Sequence, residues 1–297
     1  MRGTTEGARF SWRTWLPCLT LLVLLAPVLA GSPPVRAEGG EDAAFAFTFD
    51  HDPEGWAVAF ADLPADYDHD LYELDSGHRP LPEGLAGGGI YVQGHNRSDD
   101  LFMYLKRQVG GLQPNTVYSV SVSIDLATDV PPGLVGIGGS PGESVFVKAG
   151  AATIEPTTAV DAIGHLRMNI DKGNQSTGGE AMVVLGDIAH PEASGDTYAI
   201  KTLTNADAPL TVTTDDEGSL WLIVGTDSGF EGLTSLYYAR IAYALNSVQP
   251  PDAADTGSGL SAPLPGGRTT LAWVVFAVVG VALAGLGLRA RWRRPGL

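Results

Sequence analysis

The chain has 297 residues, and 34 acidic side chains against 18 basic ones leave a formal net charge of −16. Half of the basic residues lie near the two ends, so residues 41–247 carry 30 acidic and 9 basic side chains, a net −21 that repels phosphates and excludes nucleic acid as a partner. The 38 glycines and 20 prolines, which leave no long stretch free of both outside the two termini, exclude a helical bundle or coiled coil and leave an all-β chain of strands and turns.

In chain order, residues 1–37 predict a secretory signal peptide. Basic Arg2, Arg9 and Arg13 precede an apolar stretch from Trp15 to Leu29, and small residues offer cleavage after Ala30 or Ala37. The single cysteine, Cys18, lies inside this segment behind Leu16-Pro17, which is not the small-residue setting of a lipid-modified cysteine. The mature chain is therefore cysteine-free, and an exported domain must hold together without disulfides.

Residues 38–248 predict one extracellular antiparallel β-sandwich of about 200 residues, a comfortable size for a single core. The clearest strand is Thr116–Leu126, where Tyr118, Val120, Val122, Ile124 and Leu126 alternate with Ser119, Ser121, Ser123 and Asp125. Further strands are predicted at Phe45–Phe49, Gly55–Ala61, Ile90–Gln93, Leu101–Lys106, Val145–Ala149 and Leu166–Ile170. Met182–Ile188, Thr197–Leu203, Leu210–Thr213, Leu220–Val224 and Leu236–Leu245 complete the set, divided by Gly, Asp, Asn and Pro clusters as in sandwiches and barrels. Residues 62–88 have the least regular pattern and read as a long loop over the sandwich.

After the domain, residues 249–268 are rich in Pro, Gly, Ser, Ala and Asp, the composition of a flexible tether. Residues 269–288 predict one transmembrane helix. Its 18 uncharged residues Leu271–Leu288 span roughly 27 Å at 1.5 Å per residue. Residues 289–297 form a basic tail with Arg289, Arg291, Arg293 and Arg294, which the positive-inside rule assigns to the cytoplasm. The expectation is a single-pass cell-membrane protein with its N-terminal domain outside. Leu264-Pro265-Gly266-Gly267 before this helix resembles a sortase sorting tail, but Gly267 stands where that motif requires Thr, so a retained membrane anchor is expected.

Phe47-Thr48-Phe49-Asp50 followed by Gly55-Trp56 resembles the opening strand of galactose-binding-like jelly-roll domains. Gly111-Leu112-Gln113-Pro114-Asn115-Thr116-Val117-Tyr118 is similar to their turn into a long central strand, and Leu236–Leu245 to their closing strand. The central motif is shared with fibronectin-type sandwiches, and the glycine-rich blocks between these points look like those of an exported bacterial family. The resemblance implies a jelly roll, a role as a carbohydrate-binding module, and a structural calcium (Ca2+) on Asp50, Asp52 and Glu54 at a strand end.

Four polar segments beside predicted strands carry the donors and acceptors that a sugar or another polar surface ligand needs. They are His95–Asp100, Gly138–Lys148, Asp171–Ser176 and Gly225–Gly232. Their candidate ligand-binding residues are Asn96, Asp99, Asp100, Glu143, Lys148, Asp171, Lys172, Asn174, Asp227 and Glu231. The alternative is that these Gly, Asn and Asp residues simply build turns. Trp56, Tyr67, Tyr72 and Phe230 are the candidates for an aromatic sugar platform.

No catalytic residue is assigned. Gly138-Gly139-Ser140-Pro141-Gly142 matches a nucleophile elbow, but a strand rather than a helix is predicted after it. The six histidines are scattered without zinc-ligand spacing. Asp66, Asp68 and Asp70 alternate as in an EF-hand, yet Leu71 occupies the place of its glycine. A polysaccharide hydrolase using two of Glu143, Asp171, Asp227 and Glu231 is the alternative to a binding module, and a purely structural cell-envelope protein is the third.

Overall fold

The computed structural model describes residues 41–248. The expected signal peptide, tether, membrane helix and basic tail lie outside the described residues, among which no helix is long and apolar enough to cross a membrane.

Fifteen strands follow one another: β1 (Ala43–Phe47), β2 (Ala57–Ala61), β3 (Leu63–Pro64), β4 (Asp75–Pro80) and β5 (Gly88–His95). Then come β6 (Leu101–Val109), β7 (Val117–Thr128), β8 (Val145–Ala152), β9 (Thr158–Val160) and β10 (His165–Met168). Last are β11 (Met182–Asp187), β12 (Ala199–Thr204), β13 (Leu210–Thr213), β14 (Leu220–Ser228) and β15 (Leu233–Ser247). One short helix, α1 (His69–Tyr72), interrupts them.

The first sheet has the order β12-β7-β15-β5-β4, with β1 also on β15 and β13 also on β7; the second has the order β11-β8-β14-β6-β2. Strands pair antiparallel throughout both. The chain changes sheet at nearly every step from β5 to β8 and again from β13 to β15, so the two layers are interleaved along the sequence.

Alternation explains the core. In β7 the predicted apolar set Tyr118, Val120, Val122, Ile124 and Leu126 is buried, and the serines between are half-exposed. Neighbouring β15 buries Leu236, Tyr238, Ile241, Tyr243 and Leu245, with its phase reset by a bulge between Tyr238 and Arg240. Opposite them the second sheet contributes Leu101, Met103, Leu105, Val145, Val147, Leu220, Leu222 and Val224 to one continuous cluster. The expected β-sandwich is thus two antiparallel sheets packed face to face.

The loop expected over residues 62–88 is corrected: it contains β3, α1 and β4. In α1, Asp68 accepts the backbone amides of Asp70 and Leu71, so the acidic alternation there serves a helix cap. Strand β4 is an edge strand held by backbone pairing with β5 and mostly exposed, which is why Asp-Ser-Gly-His-Arg-Pro shows no apolar alternation.

Register places the ends. Ser247 faces Tyr118 at one end of the β7–β15 ladder, and Tyr237 faces Ala127 at the other. Ala43 pairs with Leu245, so the described chain enters and leaves at the same end. At the opposite end Ser228, the last residue of β14, faces both Leu101 and Val145, the first residues of β6 and β8.

Candidate functional site

Between β8 and β11 the chain leaves the second sheet for residues 153–181 and folds back over its outer face. There β10 pairs with β9 and β3 in a small third sheet. Met168, Ile170 and Ala181 of this excursion pack on an outer apolar cluster of Ala61, Phe102, Tyr104, Met182 and Ile223. The rings of Phe102 and Tyr104 stack with centroids 5.4 Å apart and 10° between planes. Covering this face creates a second layer toward the end of the sandwich opposite the one where the described chain enters and leaves.

Into that layer project charged side chains from separated parts of the chain. Lys148 of β8 and Asp227 of β14 are both fully buried, and Lys148 Nζ lies 2.7 Å from Asp227 Oδ2. Lys172 Nζ bridges Asp227 Oδ2 and Asp62 Oδ2, 2.8 Å from each. The Gln175 amide donates to the same Asp227 oxygen at 2.9 Å. Arg167 reaches in from β10, 2.7 Å from Asp62 Oδ1 and 3.2 Å from Asp161 Oδ2. Asp62 itself sits at φ 63, a left-handed backbone that aspartate tolerates better than most residues.

The third carboxyl is Asp100. Oxygens of Asp62, Asp100 and Asp227 lie within 4.8 Å of one another. Asp100 Oδ1 and Asp227 Oδ1 are buried and, with all carboxyls ionised, meet no donor. Burial, reinforced by the charge of Asp227, by a hydrogen bond with it and by the charge of Asp62, pushes the Asp100 carboxyl up to about 8. A proton retained on Asp100 and shared with Asp227 supplies the missing donor. Asp227 moves the other way: burial opposes its ionisation, but Lys172 and Lys148 outweigh it. Burial lowers Lys148 despite the attraction of Asp227, whereas Lys172 is raised because two carboxylates, Asp227 and Asp62, overcome the cost of its burial. The two lysines differ because Lys148 has a share in one carboxylate and Lys172 a share in two.

Beside this cluster opens a concavity of about 230 Å³, lined by Asp62, Asp100, Arg167, Met168, Ile170, Asp171, Lys172, Gly173 and Asn174. Of the ten ligand candidates read from sequence, the structure brings Asp100, Lys148, Asp171, Lys172, Asn174 and Asp227 into the cluster or its concavity. Asp99 stands next to it, its carbonyl accepting the Gln175 side-chain amide at 3.2 Å. Asn96 is buried and structural, donating to the Ser228 carbonyl and accepting the Ser98 amide. Glu143 and Glu231 do not line the concavity. Glu143 accepts the Gly133 amide and the Ser140 hydroxyl, and the Glu231 backbone amide donates to Ile137. Sequence reasoning missed Asp62 and Arg167. Their one signal was a charge set among apolar neighbours, Ala61-Asp62-Leu63 and Leu166-Arg167-Met168.

Two of the expected platform aromatics are core residues: Trp56 packs edge-on to Phe47, and Tyr72 is buried against Tyr67. Tyr67 and Phe230 are part-exposed. At the expected calcium residues, Asp52 accepts the Glu54 amide at 2.6 Å and Glu54 accepts the Thr48 amide at 3.0 Å. Their carboxylates close a turn, and Asp50 is not gathered with them into a three-oxygen cluster. The trio Asp62, Asp100 and Asp227 is such a cluster, but two lysine ammoniums already occupy it and oppose a divalent ion. Neither set fits calcium well.

No family model matches the chain, and no curated protein matches it. The solved structures to which it is similar are mostly carbohydrate-binding modules of β-sandwich fold. One is the CBM22-1 xylan-binding domain of Paenibacillus barcinonensis Xyn10C, at 10% identity over 73% of this chain and 100% of that one, with a TM-score of 0.32. Another is the mannan-recognising module TmCBM27, at 7% identity over 70% and 99%, with a TM-score of 0.31. The Stig cyclase Fisc from Fischerella sp. TAU is similar to the same degree, at 10% identity over 70% and 90%, with a TM-score of 0.33. Likeness at these values carries no argument about ligand or residue roles.

Proposed function

We propose that this chain is an exported, membrane-tethered module that binds a glycan in the concavity between Asp62, Asp100, Arg167, Asp171 and Asn174. The observation that carries the reading is the concavity itself: about 230 Å³, with a guanidinium, a carboxamide and carboxylates converging on it. A polyhydroxylated ligand needs that mixture of donors and acceptors. Its position supports the reading, since it opens at the end opposite the one where the described chain enters and leaves. The interleaving of strands between two sheets accords with the jelly-roll resemblance of the sequence. The hydrolase alternative is less well supported, because Asp227 is sealed by two lysines and the oxygens of Asp171 accept the amides of Gly173 and Glu180.

The test is a glycan array probed with the full chain, followed by titration of the best hit against Arg167→Ala and Asn174→Ala. Asn174→Ala removes an exposed carboxamide and is expected to weaken binding about tenfold, with the melting temperature little changed. Arg167→Ala is expected to weaken binding similarly and also to lower the melting temperature, because it takes one of the two cations from buried Asp62. Wild-type chain that binds no glycan, or variants that bind as well as wild type, would overturn the assignment.

A further inference from the structure

We propose that the folded domain forms a covalent amide bond within itself, between Lys148 Nζ and the side-chain carboxyl of Asp227, with Asp100 as the promoting acid. The inference does not rest on the glycan reading and concerns the buried Lys148–Asp227 pair beneath the concavity, whose lining it touches through Asp100.

The geometry begins with register. Strands β8 and β14 are antiparallel neighbours in which Lys148 faces Gly225 and Asp227 faces Phe146. Lys148 and Asp227 are therefore diagonal neighbours on the outer face of the sheet, a spacing that long side chains bridge. Their ends meet at 2.7 Å, and neither side chain is exposed at all. A pair held at ion-pair distance with no exposed surface is preorganised for an intramolecular reaction, for which effective molarities of about 10⁵–10⁸ M are attainable.

In water a lysine and an aspartate do not condense, since the amine is protonated, the carboxyl is ionised and solvent favours hydrolysis. Two of these obstacles are reduced at this site, and the third, the ionised Asp227 held by Lys172 and Lys148, is opposed by the acid Asp100 beside it. Burial disfavours the charged form of Lys148. The Asp100 carboxyl is held protonated against Asp227, where it can polarise the carbonyl under attack. Residues 153–181 pack over the outer apolar cluster that holds the Phe102–Tyr104 stack, and the two reacting side chains have no exposed surface.

The step balances without a further reactant. The Lys148 ammonium passes one proton to the Asp227 carboxylate, giving amine and acid. The amine lone pair attacks the Asp227 carboxyl carbon and the N–C bond forms, with Asp100 donating a hydrogen bond to one carboxyl oxygen. A second amine proton moves to the other oxygen, which leaves as water when the C–O bond breaks. Asp100 ends with its proton, and the product amide keeps one N–H. An acceptor is waiting for it, because Lys148 Nζ already lies 3.0 Å from the Lys172 carbonyl and 2.9 Å from that of Thr177. Lys172 is not the nucleophile: ion-paired to both Asp62 and Asp227, it remains an ammonium. The bond would close a loop between positions 79 residues apart in a chain that lacks disulfides after export.

Mass spectrometry of the full chain, exported and then denatured, tests this. The expected result is a mass lower by one water than the sequence requires and, after proteolysis, a branched peptide joining the segments that contain Lys148 and Asp227. In Asp100→Asn, accumulation of the cross-linked form after synthesis is expected to slow by about 10²–10⁴-fold. Wild-type chain of full mass, with the Lys148 amine free to acylation after denaturation, would overturn the proposal. Cross-linking at an unchanged rate in Asp100→Asn would overturn the role given to that acid. All readouts are taken without glycan, so their failure is separate from failure of the binding site.

Discussion

Gly150 of β8 lies directly beneath the carbonyl of Ala181: a Cβ at Gly150 would stand 1.8 Å from that oxygen. Backbone meets backbone where the 153–181 excursion rejoins the sheet, with the Ala151 amide bonded to the same Ala181 carbonyl at 3.1 Å. Only a residue without a side chain permits this closure, so the cover over the charged layer depends on it. Gly150→Ala is expected to cost about 1–3 kcal/mol by overpacking and to speed hydrogen exchange at residues 169–181. Denaturant titration and exchange mass spectrometry would show both. An unchanged midpoint would mean that the excursion is not seated as described.

Removing Asp227 strands two buried ammoniums. Asp227→Ala leaves Lys148 without a carboxylate and Lys172 with Asp62 alone, a change expected to cost about 3–5 kcal/mol. The double variant Asp227→Leu with Lys148→Met removes one charge of each sign and is expected to recover a large part of that loss. Urea midpoints of the two variants, referred to wild-type chain in which the Lys148 and Asp227 side chains are still free, measure it.

The Asp100 carboxyl makes stability depend on pH with a definite sign while the Lys148 and Asp227 side chains are free. Its folded value of about 8 lies above the unfolded value of about 3.9, so between them the folded state holds a proton that the unfolded state has lost. Stability therefore falls as pH rises through that window and levels off above about 8. Burial raises Asp129 as well, which adds in the same direction. Glu143, Asp161, Asp171 and Asp227 are lowered, so their contributions are lost in acid, below the ordinary carboxylate range. Melting temperatures from pH 5 to 9 should decline in wild type and decline less in Asp100→Asn. Equal slopes would contradict a proton retained by Asp100.

Chelation separates the calcium expectation from the geometry. With Asp52 and Glu54 committed to backbone amides, EDTA is expected to leave the melting temperature unchanged. A fall that calcium restores better than magnesium, and that Asp50→Asn or Asp52→Asn abolishes, would place an ion there after all.

Much of the fold was legible in the sequence because strand burial has a local cause. The period of two in Thr116–Leu126 specifies which face of β7 is buried without reference to any partner, and the same holds for most of Leu236–Leu245. Leu220–Val224, by contrast, is apolar at every position and shows only that its strand is covered on both faces. Strand β4 was illegible because an edge strand is held by its neighbour's backbone and leaves no pattern in its own side chains.

By itself the sequence determined the class of the domain, its acidic surface, its lack of disulfides, and a set of polar segments in which lysines and carboxylates are interspersed. Only the tertiary structure decided which of those side chains meet. Asp62, Asp100, Lys148, Lys172 and Asp227 are spread over more than 160 positions, and strand register together with the return of residues 153–181 brings them to one point. It also decided that Glu143 and Glu231, in segments of the same composition, lie outside. The reason is physical: composition and periodicity report interactions between residues close in the chain, whereas a buried charge is acceptable only where distant partners neutralise it, and no local pattern records which partners those are.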